Sequence, residues 1–149
     1  MIKIFTDGSC YNEIRVGGYA AYFEDLKVFH KNKIQNTTIS RMEMSAIRLA
    51  LQKILEIDWK DNDFIIFSDS EFVMKSMNWW LHNWVVDGSY KTRVNSDIWV
   101  DIHNLRKEIE DSGVRLRFYH IPSHQTDFDN PLVLGNTIAD HYCNYKYEK

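Results

Sequence analysis

Four carboxylates in this sequence stand against apolar segments, where an isolated charge is costly. Asp7 lies in Ile4-Phe5-Thr6-Asp7-Gly8-Ser9, Glu43 in Ser40-Arg41-Met42-Glu43, Asp69 in Ile66-Phe67-Ser68-Asp69-Ser70, and Asp140 in Gly135-Asn136-Thr137-Ile138-Ala139-Asp140. Desolvating an unpaired carboxylate costs several kcal/mol or shifts its pKa. Four such sites in one small chain imply that the acids converge and are neutralised by bound cations. Oxygen-only ligand sets select hard ions, Mg²⁺ or Mn²⁺, and two such ions about 4 Å apart serve in-line displacement at phosphorus.

Each acid also has a structural role open to it. Glu43 stands three residues after Ser40, as in a capping box. Asp69 precedes a helical stretch and is a favoured N-cap type. Asp7 precedes Gly8, a turn pair, and Asp140 suits the surface of a charged terminal helix. Taken together they read differently. Glu43 shares a helical face with Ile47, Ala50 and Ile54, so its carboxylate is aimed at the sheet. Asp7 and Asp69 end strands expected to be parallel neighbours, at the strand ends where open α/β sheets place ligands. Asp140 has Asn136 one turn before it and Cys143 one turn after it, a mixed face rather than a solvated one.

The elements that must position these acids follow from periodicity. Ile2–Thr6, Gly17–Phe23 and Lys27–Ile34 read as three strands joined by brief turns, an antiparallel meander. Residues 40–57 switch to a helical period. Phe64-Ile65-Ile66-Phe67 is a continuous apolar run, typical of a strand covered on both faces, and the crossover places it parallel to an earlier strand. Residues 70–84 form a tryptophan-rich helix, in which Trp79 or Trp80 is expected to pack in the core. A polar interval at 86–93 follows, then a helix over 97–110, a half-exposed strand over 114–119 and a last helix from 131–135 toward Tyr147. The fold class is α/β: a five-stranded mixed sheet, three antiparallel strands then two parallel, flanked by helices and forming one domain over 1–149.

Composition sets the remaining bounds. The 149 residues carry a net charge of −3 and 14% aromatic side chains. No apolar run approaches the ~20 residues that cross a bilayer. The chain starts on a strand without a signal-peptide pattern, and its two cysteines, Cys10 and Cys143, make no disulfide framework or metal spacing. A reducing, cytoplasmic setting fits.

The joint pattern T-D-G-S, R-M-E, S-D-S and H…G-N-x-x-A-D, with Gly17-Gly18-Tyr19 and Trp80-Leu81-His82-Asn83-Trp84, resembles the type 1 ribonuclease H family over essentially the whole chain. The resemblance implies a ribonuclease H-like fold and hydrolysis of the RNA strand of RNA–DNA hybrids, leaving 3′-hydroxyl and 5′-phosphate ends. It makes Asp7, Glu43, Asp69 and Asp140 the catalytic carboxylates, holding two Mg²⁺ ions with Mn²⁺ as a substitute. His124, in Pro122-Ser123-His124-Gln125, matches the loop histidine that the family uses in proton transfer or product release, and histidine titrates in the right range for it. The chain departs from the pattern at Thr126-Asp127-Phe128-Asp129-Asn130, a longer loop, and at Thr137, where glutamate is common. Implied substrate contacts are Cys10, Asn12 and Glu71 on the RNA side, Thr38 and Arg41 near a DNA phosphate, Trp84 and Tyr90 under a sugar or base, and Asn136 beside Asp140. The positions after Trp84 are Val85, Val86 and Asp87, where relatives with a basic protrusion carry cations. The expected partner is a hybrid duplex, bound by a monomer. Two other readings are another nuclease of the same superfamily, a resolvase or exonuclease, and a non-catalytic binding relative.

Overall fold

Ile2 and Ile4 point to one side of their strand and Phe5 to the other, and this alternation separates the two cores of the molecule. The computed structural model describes residues 1–24, 27–56, 63–123 and 125–144. Strands β1 (Ile2–Tyr11), β2 (Val16–Phe23) and β3 (Lys27–Ile34) form the antiparallel meander. Helix α1 (Ile39–Glu56) leads to β4 (Phe64–Ser68), parallel to β1. A continuous helical run follows: α2 (Glu71–Lys75), a π turn (Ser76–Trp80) and α3 (Leu81–Asp87). After a 3₁₀ turn (Ser89–Lys91) come α4 (Ser96–Asp111), β5 (Leu116–His120), parallel to β4, and α5 (Pro131–Cys143). The sheet order is β3-β2-β1-β4-β5.

The register pairs like faces across the sheet. Ile4 stands opposite both Phe23 and Ile66, while Phe5 stands opposite Tyr22 and Phe67. The first set joins Ile47 and Leu51 of α1 and Ile98, Trp99 and Ile102 of α4 in the larger core. The second forms a smaller core with Ile121 and Ala139 of α5, built on Phe5 and Phe67 stacked at 5.1 Å.

Four expectations are corrected. First, β1 does not stop at Thr6. Its pairing with β4 ends at Thr6–Ser68, but its pairing with β2 continues to Tyr11–Val16. Asp7 therefore sits inside a strand, not in a turn, at the point where β1 loses its β4 neighbour. Gly8 does not break the strand but makes room for α1, since a methyl there would overlap the backbone of Met42 and Glu43. Second, the N-cap of α1 is Thr38, whose Oγ1 accepts from Arg41 N at 3.2 Å; Ser40 lies inside the first turn, and no Ser40–Glu43 capping box forms.

Third, Trp79 and Trp80 are 60% and 38% exposed, and the tryptophan filling the core is Trp99, 2% exposed. The reason is the π turn. Leu81 N–H donates to Ser76 O, five residues back, so the inward face is carried by Met77 and Leu81 and the intervening indoles turn outward. Fourth, β5 begins at Leu116 rather than 114, and α5 stops at Cys143, with Asn144 extended; positions 145–149 lie outside the described residues.

Candidate active site

β1 carries Asp7 past the end of β4 and onto the face covered by α5. There Asp7 is 4% exposed, and its Oδ1 accepts from Gly8 N at 2.9 Å. Asp69 follows the last residue of β4. Glu43 is half-buried in the second turn of α1, the helix held over Gly8. Asp140 lies near the C-terminal end of α5 and is exposed, so the expectation that its helical face is not a solvated one is corrected: Asn136 and Cys143 are buried, but the carboxylate itself reaches solvent.

The charges of these acids act on one another. Burial pushes the Asp7 carboxyl well above the ordinary carboxylate range; the charges of Asp69 and Asp140, and a hydrogen bond with Asp140, push it further, against the Gly8 N–H. Glu43 is also raised, by burial first and by Asp69 to a smaller degree, with a Ser70 hydrogen bond opposing. Asp69 thus acts on Asp7 and on Glu43 and links the two. The Cys143 thiol supplies a third view: burial raises it, and Asp7, Asp140 and Asp69 raise it further. Ligand atoms of Asp7, Asp140 and Cys143 all lie within 4.8 Å of one another. Of the four acids proposed from sequence, Asp7 and Asp140 thus lie together with Cys143, Asp69 is near enough to raise both Asp7 and Glu43, and Glu43 joins the group through Asp69 at the end of β4.

Two neighbours were not assigned a role from sequence. Ser70 holds Glu43 and also caps α2, its hydroxyl accepting from Val73 N at 3.3 Å. Cys143 lines the acids from α5, where its thiol donates to Asp140 O at 3.1 Å, and Ser9 Oγ donates to Cys143 O at 2.8 Å. The signal for Cys143 was its position three residues after Asp140 on a helix.

The substrate candidates are dispersed around this centre. Cys10 belongs to β1, and its thiol donates to Thr37 O at 3.6 Å, tying the strand to the approach of α1. Asn12 is exposed in the β1–β2 turn, and Thr38 is the α1 cap. Arg41 is committed to structure. Its guanidinium donates to both carboxylate oxygens of Asp97 at 3.0 and 2.8 Å and to Asn95 Oδ1 at 2.9 Å, and Asp97 is held below the ordinary range by it. Glu71 is exposed and ion-paired to Lys75 at 2.8 Å. Trp84 is half-buried between Trp80 and Trp99, with the Arg93 guanidinium 4.0 Å from its ring. Tyr90 packs edge-on against His103 at 5.3 Å. Asn136 is buried at 8% exposure. His124 lies outside the described residues. Among the described residues, no helix is long and apolar enough to cross a membrane.

Comparison with known proteins gives the family and the fold. The family profile that matches is RNase H, over residues 1–147. The ribonuclease H of Campylobacter jejuni subsp. jejuni serotype O:23/36 (strain 81-176) is 30% identical over 132 residues, 87% of this chain and 83% of that protein. The ribonuclease H of Enterobacter sp. (strain 638) is 36% identical over 105 residues, 66% of this chain and 64% of that one. Among solved structures, the fold matches LC11-RNase H1 in complex with an RNA/DNA hybrid, with TM-score 0.69, 22% identity and coverage of 96% and 94%. It also matches the prototype foamy virus protease-reverse transcriptase, with TM-score 0.82 and 20% identity over 99% of this chain, which spans 21% of that viral chain.

Proposed function

This chain belongs to the RNase H family, and on that premise we propose that it is an endoribonuclease hydrolysing the RNA strand of RNA–DNA hybrids, leaving 3′-hydroxyl and 5′-phosphate ends. The observation that carries the reading is the mutual repulsion registered at Asp7, a buried carboxylate facing Asp69 and Asp140. Such a group is stable in its charged form only beside cations. The family uses a divalent metal, and the donor set here fits one: four carboxylates are hard oxygen ligands. Asp7, Glu43, Asp69 and Asp140 would hold two Mg²⁺ ions, with Mn²⁺ as a substitute. When bound, the ions supply charge neutralisation at the scissile phosphate and activation of water for in-line attack.

The protein's own groups then position and transfer. Gly8 N–H fixes one oxygen of Asp7, and the Ser70 hydroxyl holds Glu43. No side-chain nucleophile is needed. His124 serves in proton transfer, taking the proton of the attacking water or supplying one to the departing 3′-oxygen, or in product release. Cys10, Asn12 and Glu71 face the RNA strand, and Thr38 lies beside a DNA phosphate. Arg41, being locked to Asp97, positions the start of α1 and reaches a phosphate only through its remaining donors. Trp84 and Tyr90 pack under a sugar or base, and Asn136 supports Asp140 from within α5. The enzyme acts as a monomer formed by one catalytic domain, in the cytoplasm.

A gel assay on matched RNA–DNA, RNA–RNA and DNA–DNA duplexes tests the reading. Cleavage of the hybrid alone, with Mg²⁺ and not with EDTA, is the expected result. Cleavage of duplex DNA would move the chain to another nuclease class, and no cleavage of any duplex would make it a binding relative.

A further inference from the structure

Along the outer edge of β5, facing the π turn and the start of α2, runs a cleft of about 550 Å³ that shares Glu71 with the proposed RNA contacts and is otherwise lined by residues outside the acid site. Glu71, Lys75, Trp79, Arg117, Tyr119 and His120 are among its walls. One end of it lies near the acids in the chain: His120 is the register partner of Ser68, the residue before Asp69, and Glu71 follows Asp69 by two residues. Trp79 and Tyr119 are 60% and 49% exposed, so two large aromatic faces are offered to solvent at one place.

The backbone that presents Trp79 is firmly held. Where the π turn shifts Leu81 N–H to Ser76 O, Met77 O loses its α-helical donor and accepts instead from Arg106 Nη1 at 2.7 Å. Asn78 Nδ2 donates to Phe118 O at 3.0 Å, and the Arg106 guanidinium lies 4.9 Å from the Phe118 ring. Turns of this kind concentrate at functional sites. The Asn78 bond has a second consequence: it occupies an edge carbonyl in β5, so an added peptide strand would lose that ladder position. Side-chain chemistry, not strand pairing, selects the ligand.

That chemistry is aromatic and cationic. Lys75 is neutralised by Glu71, and Arg106 by Glu110 at 2.9 Å. Arg117 is exposed and forms no ion pair among the described residues. A local positive excess beside an open indole, in a chain of net charge −3, is the combination that stacks a base and neutralises its phosphate.

We infer that this cleft binds a single-stranded RNA segment continuing from the strand held at the acids, with a base on Trp79 and a phosphate at Arg117. The identity of the strand rests on the proposed hybrid cleavage; the class of ligand rests on the cleft itself. The test compares a blunt hybrid with the same hybrid carrying a short unpaired extension on its RNA strand. Binding is read in EDTA by anisotropy, and tryptophan quenching is read with the single-stranded oligoribonucleotide alone. The wild-type protein is expected to bind the extended hybrid roughly tenfold more tightly. Trp79→Ala and, independently, Arg117→Ala should each remove most of that gain and leave blunt-hybrid affinity and cleavage unchanged. Equal affinity for blunt and extended hybrids, a gain that survives both substitutions, or an equal gain from an extension on the DNA strand would overturn the inference. The two proposals fail separately. Cleavage of blunt hybrid without any extension gain removes the cleft alone. Trp79-dependent quenching by single strands in a protein that cleaves no hybrid removes the nuclease reading alone.

Discussion

At the scale of single residues, Asp7 holds the most information. Its folded pKa is raised, first by burial and then by Asp69 and Asp140, so the metal-free fold binds a proton there more tightly than the unfolded chain. The contribution is therefore present in full below the ordinary carboxylate range and is lost as pH rises through the shifted value. Asp7→Asn removes the penalty. In EDTA the variant should have a Tm at or above that of wild type at about pH 8, with the gap closing toward about pH 4. Mg²⁺ should raise the wild-type Tm near neutrality and move the variant much less. A variant less stable than wild type at the higher pH, in EDTA, would contradict this account. The same substitution, or Asp69→Asn, should lower hybrid cleavage by roughly 10³-fold while circular dichroism stays native, since transition-state charge stabilisation by metal is worth several kcal/mol. His124→Ala should slow turnover without abolishing it and flatten the pH–rate profile near neutrality; an unaltered profile would remove the proton-transfer role.

At the scale of elements, the site depends on two unequal pairings of β1. β4 stops at Ser68 while β2 continues beside β1 as far as Tyr11, and the missing neighbour leaves the space that Asp7 and Asp69 border. Gly8, one residue on, lets α1 cross at backbone contact. Gly8→Ala should therefore displace the start of α1 and Glu43 with it. The expected cost is about 1–3 kcal/mol in denaturant titration, together with weaker Mg²⁺ binding by calorimetry. Wild-type stability with wild-type metal affinity would show that the helix approach tolerates a methyl. Periodicity located nearly every element, because burial on one face leaves a 2.0 or 3.6 repeat in the residues. It missed the extension of β1, since Asp7-Gly8-Ser9 looks like a turn locally and is held in a strand only by β2. It also missed the π turn, whose extra residue rotates Trp79 and Trp80 outward without changing the composition of the helix.

Across the whole molecule, charge is sparse where a duplex would lie. Val86 and Asp87 are exposed beyond Trp84, Arg41 is paired with Asp97, and Arg93 is stacked on Trp84. Around Trp84 few cations are left for counterion release. The dependence of log K on log salt for a blunt hybrid should therefore correspond to only about three or four phosphates, at roughly 0.7–0.9 per contact. A slope equivalent to eight or more would overturn the account of a charge-poor duplex surface.

The sequence alone singled out the carboxylates beside Phe5, Met42, Phe67 and Ala139 as anomalous; the structure buries Asp7, half-buries Glu43 and Asp69, and exposes Asp140. The sequence also settled the order of strands and helices, because both are written in the local alternation of apolar and polar side chains. Only the tertiary structure decided which acids feel one another, since Asp69 and Asp7 come from different strands and the Coulomb term depends on distance through space. It likewise committed Arg41 to Asp97, buried Trp99 in place of Trp79 and Trp80, and set Cys143 against Asp7 and Asp140. Each of these depends on a partner far along the chain, and local periodicity carries no record of such a partner.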